Sequence, residues 1–125
     1  MKNKITLSLF LWVMLLMSSC FHVHRTSINI NDDAEEFRIR ARYERSQAFR
    51  IKQYLHELLQ EDYDACVNHN GRIDATVTLE DNTRLYINAR PGELLLDMDK
   101  EENSVASCER MREIGEDIKA ILAGR

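Results

Sequence analysis

The chain has 125 residues, of which 44% are hydrophobic and 30% charged, and its formal net charge is −4. This length suits one domain of ordinary size. Residues 21–52 carry seven basic and five acidic side chains, whereas residues 53–125 carry eight basic and sixteen acidic ones. Because nucleic-acid binding depends on neutralising phosphates, we expect no nucleic-acid partner for so acidic a chain.

The first 19 residues have the pattern of a secretory signal peptide. Lys2 and Lys4 precede an apolar run, "ITLSLFLWVMLL", at residues 5–16. This run is shorter than the roughly 20 residues that a membrane-spanning helix needs. We therefore assign residues 1–19 to a signal peptide, with a buried or amphipathic N-terminal helix as the alternative.

Small residues stand directly before a cysteine at the end of this run, in the order Met17-Ser18-Ser19-Cys20. The pattern resembles the lipobox of bacterial lipoproteins. The resemblance implies that the Cys20 thiol takes a diacylglycerol, that the peptide is cut before it, and that the new N-terminus is acylated with a fatty acid such as palmitate. Several acyl chains on one residue hold a protein on a bilayer. The alternative is ordinary cleavage nearby, which would leave Cys20 as a free thiol.

The residue after the cysteine bears on location. It is Phe21 and not Asp. By resemblance to enteric lipoproteins, this implies sorting to the outer membrane, with the domain facing the periplasm.

Residues 20–31 are predicted to be the lipidated cysteine and a short tether, and residues 32–125 a single domain. The tether sequence "FHVHRTSININ" shows no helical period. His22 and His24 could hold Cu(II) or Zn(II) weakly, but they lack the further ligands of a specific site. We expect no metal or other cofactor, and a metal-handling lipoprotein is only the third functional hypothesis.

A long amphipathic helix is predicted from Asp32 to about Asp64. This stretch has no Gly or Pro, begins with acidic residues suited to a helix N-terminus, and later places apolar residues three and four apart.

Three strands and a helix are predicted to follow. Residues 72–80, 83–89 and 93–99 are separated by the turns Asp81-Asn82 and Pro91-Gly92, and the first two alternate apolar and polar residues. Apolar residues again recur three and four apart from about Asn103 onward. The predicted fold is therefore α+β, with a long N-terminal helix, a three-stranded antiparallel meander and a C-terminal helix packed on one sheet face.

Two cysteines remain if Cys20 is lipidated. Cys66 and Cys108 form an even pair in an oxidising compartment, near the end of one predicted helix and in the first turn of the other. We expect a disulfide between them, worth roughly 4 kcal/mol in the chain-entropy estimate. Two buried free thiols are the alternative.

Basic and apolar residues are interleaved between residues 37 and 52. In a helix Arg38 and Arg42 share one face, with Arg45 and Phe49 nearby. These four are the candidate interaction residues, for anionic lipid headgroups, lipopolysaccharide or an acidic partner, and a solvated face with local ion pairs is the alternative. The chain has no nucleophile–base pattern and no phosphate-binding glycine loop, so we expect no enzymatic activity.

The segments "YDACVNHNGRIDATVTLEDN" and "ELLLDMDKEENSVASCERM" resemble the C-terminal domain of TolA, a cell-envelope protein. The resemblance implies a protein-docking module that recruits partners partly by strand addition to an exposed sheet edge. We therefore expect an envelope lipoprotein that acts as an adaptor for another envelope protein. A pilotin-like chaperone or inhibitor of one exported partner is the alternative, and the oligomeric state is left open.

Overall fold

The computed structural model describes residues 26–124. The predicted signal peptide, Cys20, His22 and His24 lie outside the described residues. In chain order, the elements are β1 (Ser27–Asp32), β2 (Glu36–Arg42), α1 (Arg45–Leu59), α2 (Asp62–Cys66), β3 (Ile73–Thr78), β4 (Arg84–Arg90), β5 (Glu93–Asp99) and α3 (Val105–Leu122). No helix in this part of the chain is long and apolar enough to cross a membrane.

The five strands form one antiparallel sheet in the order β1–β2–β5–β4–β3. The sheet has two ends, which we name by the chain's path. The entry end, where β1 begins, is marked by the paired residues Ser27, Arg42, Glu93 and Arg90. The far end is marked by the pair Glu36 and Asp99. Residues 27–31, part of the predicted tether, therefore belong to the sheet.

The predicted helix from Asp32 to Asp64 is wrong over its first third. Its beginning forms a hairpin in which β2 lies between β1 and β5. The Asp33 carboxylate accepts hydrogen bonds from the N–H groups of Glu35 and Glu36, each at 2.8 Å, and so stabilises a turn instead of starting a helix. Phe37, Ile39 and Ala41 alternate with arginines and are buried, which is the period of a strand.

The α+β class and the C-terminal helix are confirmed, whereas a three-stranded meander is wrong because the hairpin adds β1 and β2 beside β5. The turns on either side of β4 have the predicted residues. Asn82 has φ +68° and Gly92 has φ +88°. A side chain at Gly92 would also bring its Cβ within 3.1 Å of the Tyr43 carbonyl oxygen.

The helices pack on one face of the sheet. α3 approaches β1 and β2 so closely at Gly115 that an added Cβ would lie 2.9 Å from Ile30 Cδ1. α1 covers the β4 side, where Ile51 and Leu55 share a small cavity with Ala89. The core between the two layers holds alternate residues of every strand from β2 to β5, among them Phe37, Ile39, Leu85, Ile87, Leu94, Leu96 and Met98.

Polar contacts fix where α3 begins and ends. At the far end, the Thr83 hydroxyl hydrogen-bonds to Ser107 at 3.0 Å, in a buried position. The Ser104 hydroxyl accepts from the Ser107 N–H and caps the helix. At the entry end, the Gln47 amide donates to the Leu122 carbonyl at 2.9 Å, which joins α3 to α1. α3 therefore runs the full length of the sheet.

The predicted bridge between Cys66 and Cys108 is not formed, because both residues are free thiols. Cys66 precedes Val67, which bridges to Ile73, and Ile73 pairs with Ala89 near the entry end. Cys108 follows Ser107, which contacts Thr83 at the far end. Six strand positions separate Thr83 from Ala89, or about 20 Å, whereas disulfide-bonded Cα atoms lie within about 7 Å.

Candidate functional site on the open face of the sheet

Every second side chain of the central strands points away from the helices, and no described element covers this surface, which we call the open face. Because strand side chains alternate, its members follow from the register. On β2, β5 and β4 they are Glu36, Arg38, Arg40, Arg42, Glu93, Leu95, Asp97, Asp99, Arg84, Tyr86, Asn88 and Arg90.

Arg38 is held by two carboxylates. Its guanidinium lies 3.0 Å from Asp97 and 3.2 Å from Glu36. The hydrogen bond that Arg38 donates to Asp97 and the charge of that carboxylate raise the pKa of Arg38 above its ordinary value. Desolvation and the nearby Asp97 charge raise the pKa of Glu36. Arg38 Nε is buried and has no hydrogen-bond partner within the described chain. The Arg38 charge is therefore already balanced inside the domain.

Arg40 and Arg42 differ from Arg38. Both are exposed. Neither side chain makes an ion pair or hydrogen bond within residues 26–124, since the carboxylate opposite Arg42, that of Glu93, lies 3.8 Å from Arg90 instead. Leu95 lies opposite Arg40. These two guanidinium groups are therefore available to a carboxylate or phosphate from outside the domain.

Tyr86 and Leu95 form the centre of the open face. Both are half-buried and lie on neighbouring strands, at diagonal positions of the β4–β5 register. The Tyr86 hydroxyl donates to Asp74 at 2.5 Å and accepts from the Asn88 amide at 3.2 Å. The hydrogen bond to Asp74 raises the pKa of Tyr86. An oriented phenol beside a leucine gives this surface a partly apolar centre.

The far end of the open face is acidic. A cleft of 540 Å³ lies there, lined mainly by carboxylates, namely Glu35, Glu36, Asp97, Asp99, Glu101 and Glu102, together with Arg84, Thr76, Leu85 and Tyr86. Within residues 26–124, no three His, Cys, Asp or Glu side chains are grouped so that they could hold a metal ion.

The four predicted interaction residues fall in two places. Arg38 and Arg42 lie on the open face, whereas Arg45 begins α1 and Phe49 is in its first turns, in the helical layer at the entry end. The structure therefore separates the predicted set into two pairs. It also contradicts the predicted helical face, because Arg38 and Arg42 belong to a strand.

Arg40, Tyr86 and Leu95 are open-face residues that the predicted set lacks. In a helix, positions i and i+4 share a face and i+2 does not, whereas a strand places all three together. The alternation in "FRIRAR", residues 37–42, was the available signal for Arg40. Comparison of the chain with protein-family models, with curated proteins and with solved structures finds no match in any of the three.

Proposed function

We propose that this protein is an outer-membrane lipoprotein whose periplasmic domain binds another envelope protein through the open face. The anchor is supported by the apolar N-terminal run that ends in Met17-Ser18-Ser19-Cys20. A binding role is supported by the resemblance to the TolA C-terminal domain and by the chemistry of the open face. We propose no catalytic step for it.

The binding proposal rests on one observation, which is that β2 carries an exposed arginine without an ion-pair or hydrogen-bond partner among the described residues. Arg40 is exposed, has no partner in the described chain and lies opposite the half-buried Leu95. Protein interfaces combine an apolar centre with a polar rim, and arginine and tyrosine are enriched among their strongest contributors. The open face has this composition, with Tyr86 and Leu95 at the centre and the arginines beside them.

Strand addition at the β3 edge is the weaker route to a partner. Val67 already bridges to Ile73 on the outer side of this strand. The outer edge of β3 is thereby covered at its first residue, which leaves a short stretch for a further strand. The open face offers a wider surface that includes charged and aromatic side chains.

The test is a crosslinked pull-down of the full chain from its own cell envelope, with two charge reversals. We expect Arg40→Glu to reduce recovery of a discrete envelope partner at least about tenfold, as for an interface arginine worth more than about 1.4 kcal/mol. The matched control is Lys119→Glu on α3, where an exposed lysine lies 3.4 Å from Glu116 in the helical layer. The control should recover as much partner as the wild type.

The outcomes separate the hypotheses. Equal recovery with Arg40→Glu and with the wild type would show that the open face is not the docking surface. A secreted protein as the recovered partner would instead favour a pilotin-like chaperone or inhibitor.

A further inference from the structure

The entry end of the domain carries a cluster of exposed cations. Arg42 ends β2, Arg45 begins α1, Lys52 lies in the second turn of α1 and Arg72 precedes β3, and all four side chains are exposed. None of the four makes an ion pair within residues 26–124. Carboxylates near this end include those of Glu44, Glu93 and Asp74. Glu93 lies 3.8 Å from Arg90, and Asp74 accepts a hydrogen bond from the Tyr86 hydroxyl. We call these four cations the basic cluster.

The opposite end of the domain has the opposite charge. The far end holds the carboxylates that line the acidic cleft, and the β3–β4 turn adds Glu80 and Asp81. The net charge is therefore divided along the strand direction, because the cations of the basic cluster are unpaired within the described chain, whereas Arg84, Lys100 and Arg110 at the far end are paired with carboxylates among an excess of anions. A surface of fixed negative charge would attract one end of this domain and repel the other.

An exposed aromatic side chain stands within the basic cluster. Phe49 is 68% exposed, the largest apolar side chain so exposed among the described residues. It borders an apolar cleft of 150 Å³, whose lining includes Tyr43, Pro91 and Lys52. Cations around an exposed aromatic residue are typical of surfaces that lie at the headgroup level of a membrane.

The chain enters the domain at this same end. Thr26 directly precedes β1, and its hydroxyl donates to the Gln47 side chain of α1 at 3.0 Å. If Cys20 carries the lipid, the five residues between it and Thr26 span at most about 20 Å when fully extended. So short a connection keeps the entry end near the bilayer.

We propose that the basic cluster and Phe49 form a membrane-contact surface that binds the phosphates of anionic phospholipids. This inference rests on the proposed lipid anchor. The cations lie against headgroup phosphates, Phe49 enters the headgroup region, and the far end points away from the membrane. The contact fixes the orientation of the domain. The strands then run away from the membrane, and the open face is perpendicular to the membrane surface.

The test uses single tryptophans in the lipidated protein, which has no native one because Trp12 lies in the predicted signal peptide, and Trp12→Phe removes it from any uncleaved chain as well. Phe49→Trp places the probe in the basic cluster. Val105→Trp is the matched control, because Val105 is 82% exposed and begins α3 at the far end. Protein purified from membranes is reconstituted in vesicles of phosphatidylcholine, with or without phosphatidylglycerol, and quenching by brominated lipid is measured.

We expect the Phe49→Trp probe to be quenched in vesicles with phosphatidylglycerol and the Val105→Trp probe to remain unquenched. Adding Arg42→Gln and Arg72→Gln should reduce the contact equilibrium about fivefold for each cation removed. Arg84→Gln with Arg110→Gln changes the net charge equally at the far end and should have no effect. High salt should abolish the quenching, because it screens the phosphates.

Three results would overturn the proposal. They are equal quenching of both probes, quenching that does not depend on phosphatidylglycerol, and quenching that survives Arg42→Gln with Arg72→Gln. A probe response that requires an added acidic envelope protein would assign the basic cluster to that protein. Failure of the wild type to float with pure phosphatidylcholine vesicles would instead count against the lipid anchor. In that case, flotation of the Arg42→Gln, Arg72→Gln variant with phosphatidylglycerol vesicles would still test whether the basic cluster binds anionic lipid.

Discussion

Arg38 and Arg40 are two positions apart on β2 and point to the same side of the sheet, yet their surroundings differ. Arg38 lies between the carboxylates of Glu36 and Asp97, whereas Arg40 has no partner in the described chain. Removal of Arg38 would leave two carboxylates close together, and the pKa of Glu36 is already raised by the nearby Asp97. We therefore expect Arg38 to contribute to folding stability and Arg40 to partner binding.

Alanine substitutions should separate these roles. We expect Arg38→Ala to lower the free energy of unfolding by about 1 kcal/mol, because a pair of partly exposed ion pairs is lost and two carboxylates are left unbalanced. Arg40→Ala should change it by less than about 0.5 kcal/mol, as for an ordinary surface position. Urea denaturation measures both, and equal losses would contradict the assignment.

The two cysteines allow a direct chemical test of the topology. In a full chain with Cys20→Ser, we expect both Cys66 and Cys108 to be alkylated in denaturant without a reducing agent. In the native protein, Cys66 should react slowly near neutral pH, because burial and the charge of Asp62 raise its pKa above 9.0 and keep the thiol protonated. The rate should increase as the pH rises above that value. Mass spectrometry measures the labels, and an unlabelled chain two hydrogens lighter than the reduced one would show a disulfide.

At the scale of elements, Asp32 connects three of them. It ends β1, forms an ion pair with Lys100 after β5, and lies 3.3 Å from Arg112 on α3. The hydrogen bond from Lys100 is the main cause that lowers the pKa of Asp32 below its ordinary 3.8. This stabilisation is present above the unfolded-state pKa and is lost as the pH falls through the lower folded-state value.

The Asp32→Asn variant should therefore be less stable than the wild type at neutral pH. The gap between the two should close as the pH falls below about 3.8, because the wild type then loses the same ion pairs. Thermal unfolding across this pH range measures the difference, with Asp64→Asn on α2 as the control, because Asp64 is exposed. A gap that stays constant with pH would contradict the role of Asp32.

The contact between α3 and β1 can be tested by a double-mutant cycle. Alanine is favoured over glycine inside a helix by about 1 kcal/mol, but a Cβ at Gly115 would lie 2.9 Å from Ile30 Cδ1. We expect Gly115→Ala to be more favourable in an Ile30→Val background, which removes Cδ1, than in the wild type. Denaturant unfolding of the four proteins gives the coupling energy, and additive effects would contradict the close approach.

There is a physical reason why some elements could be predicted from the sequence and others could not. β3 and β4 were predictable because they alternate strictly, and each turn around β4 contains one residue suited to a positive φ, Asn82 in the first and Gly92 in the second. β2 alternates as well, but its arginines and the acidic residues before it also favour a helix, so propensity and period conflict. Arg40 could be predicted to share a face with Arg38 and Arg42 only if this segment was recognised as a strand. The pairing of β2 with β5 and the distance between the cysteines depend on strand order, which local patterns do not encode.

At the scale of the whole molecule, the domain is polarised in two directions. Helices cover one sheet face and leave the other open, while cations that are unpaired in the described chain mark the entry end of the strands and an excess of carboxylates marks the far end. With a lipid on Cys20, the entry end would face the membrane, and the open face would remain accessible to a partner.

The anchor is tested by metabolic labelling. We expect radiolabelled palmitate to enter the wild type and not the Cys20→Ser variant, because that thiol begins the acylation pathway implied by the lipobox. The variant should also leave the membrane fraction. Absence of label from the wild type, or its persistence in the variant, would contradict the lipoprotein assignment.

The pairing of β2 with β5 also governs the order in which this domain can fold. Arg38 and Asp97, which face each other across these central strands, are 59 positions apart in the sequence. A contact at this separation requires closure of a long loop, so it forms more slowly than helices or hairpins. In a chain that crosses a membrane N-terminus first, β1 and β2 would emerge early and wait for β5. Until β5 arrives, the apolar side of β2 has no neighbouring central strand, and this interval is when the chain is most exposed to aggregation or to a chaperone.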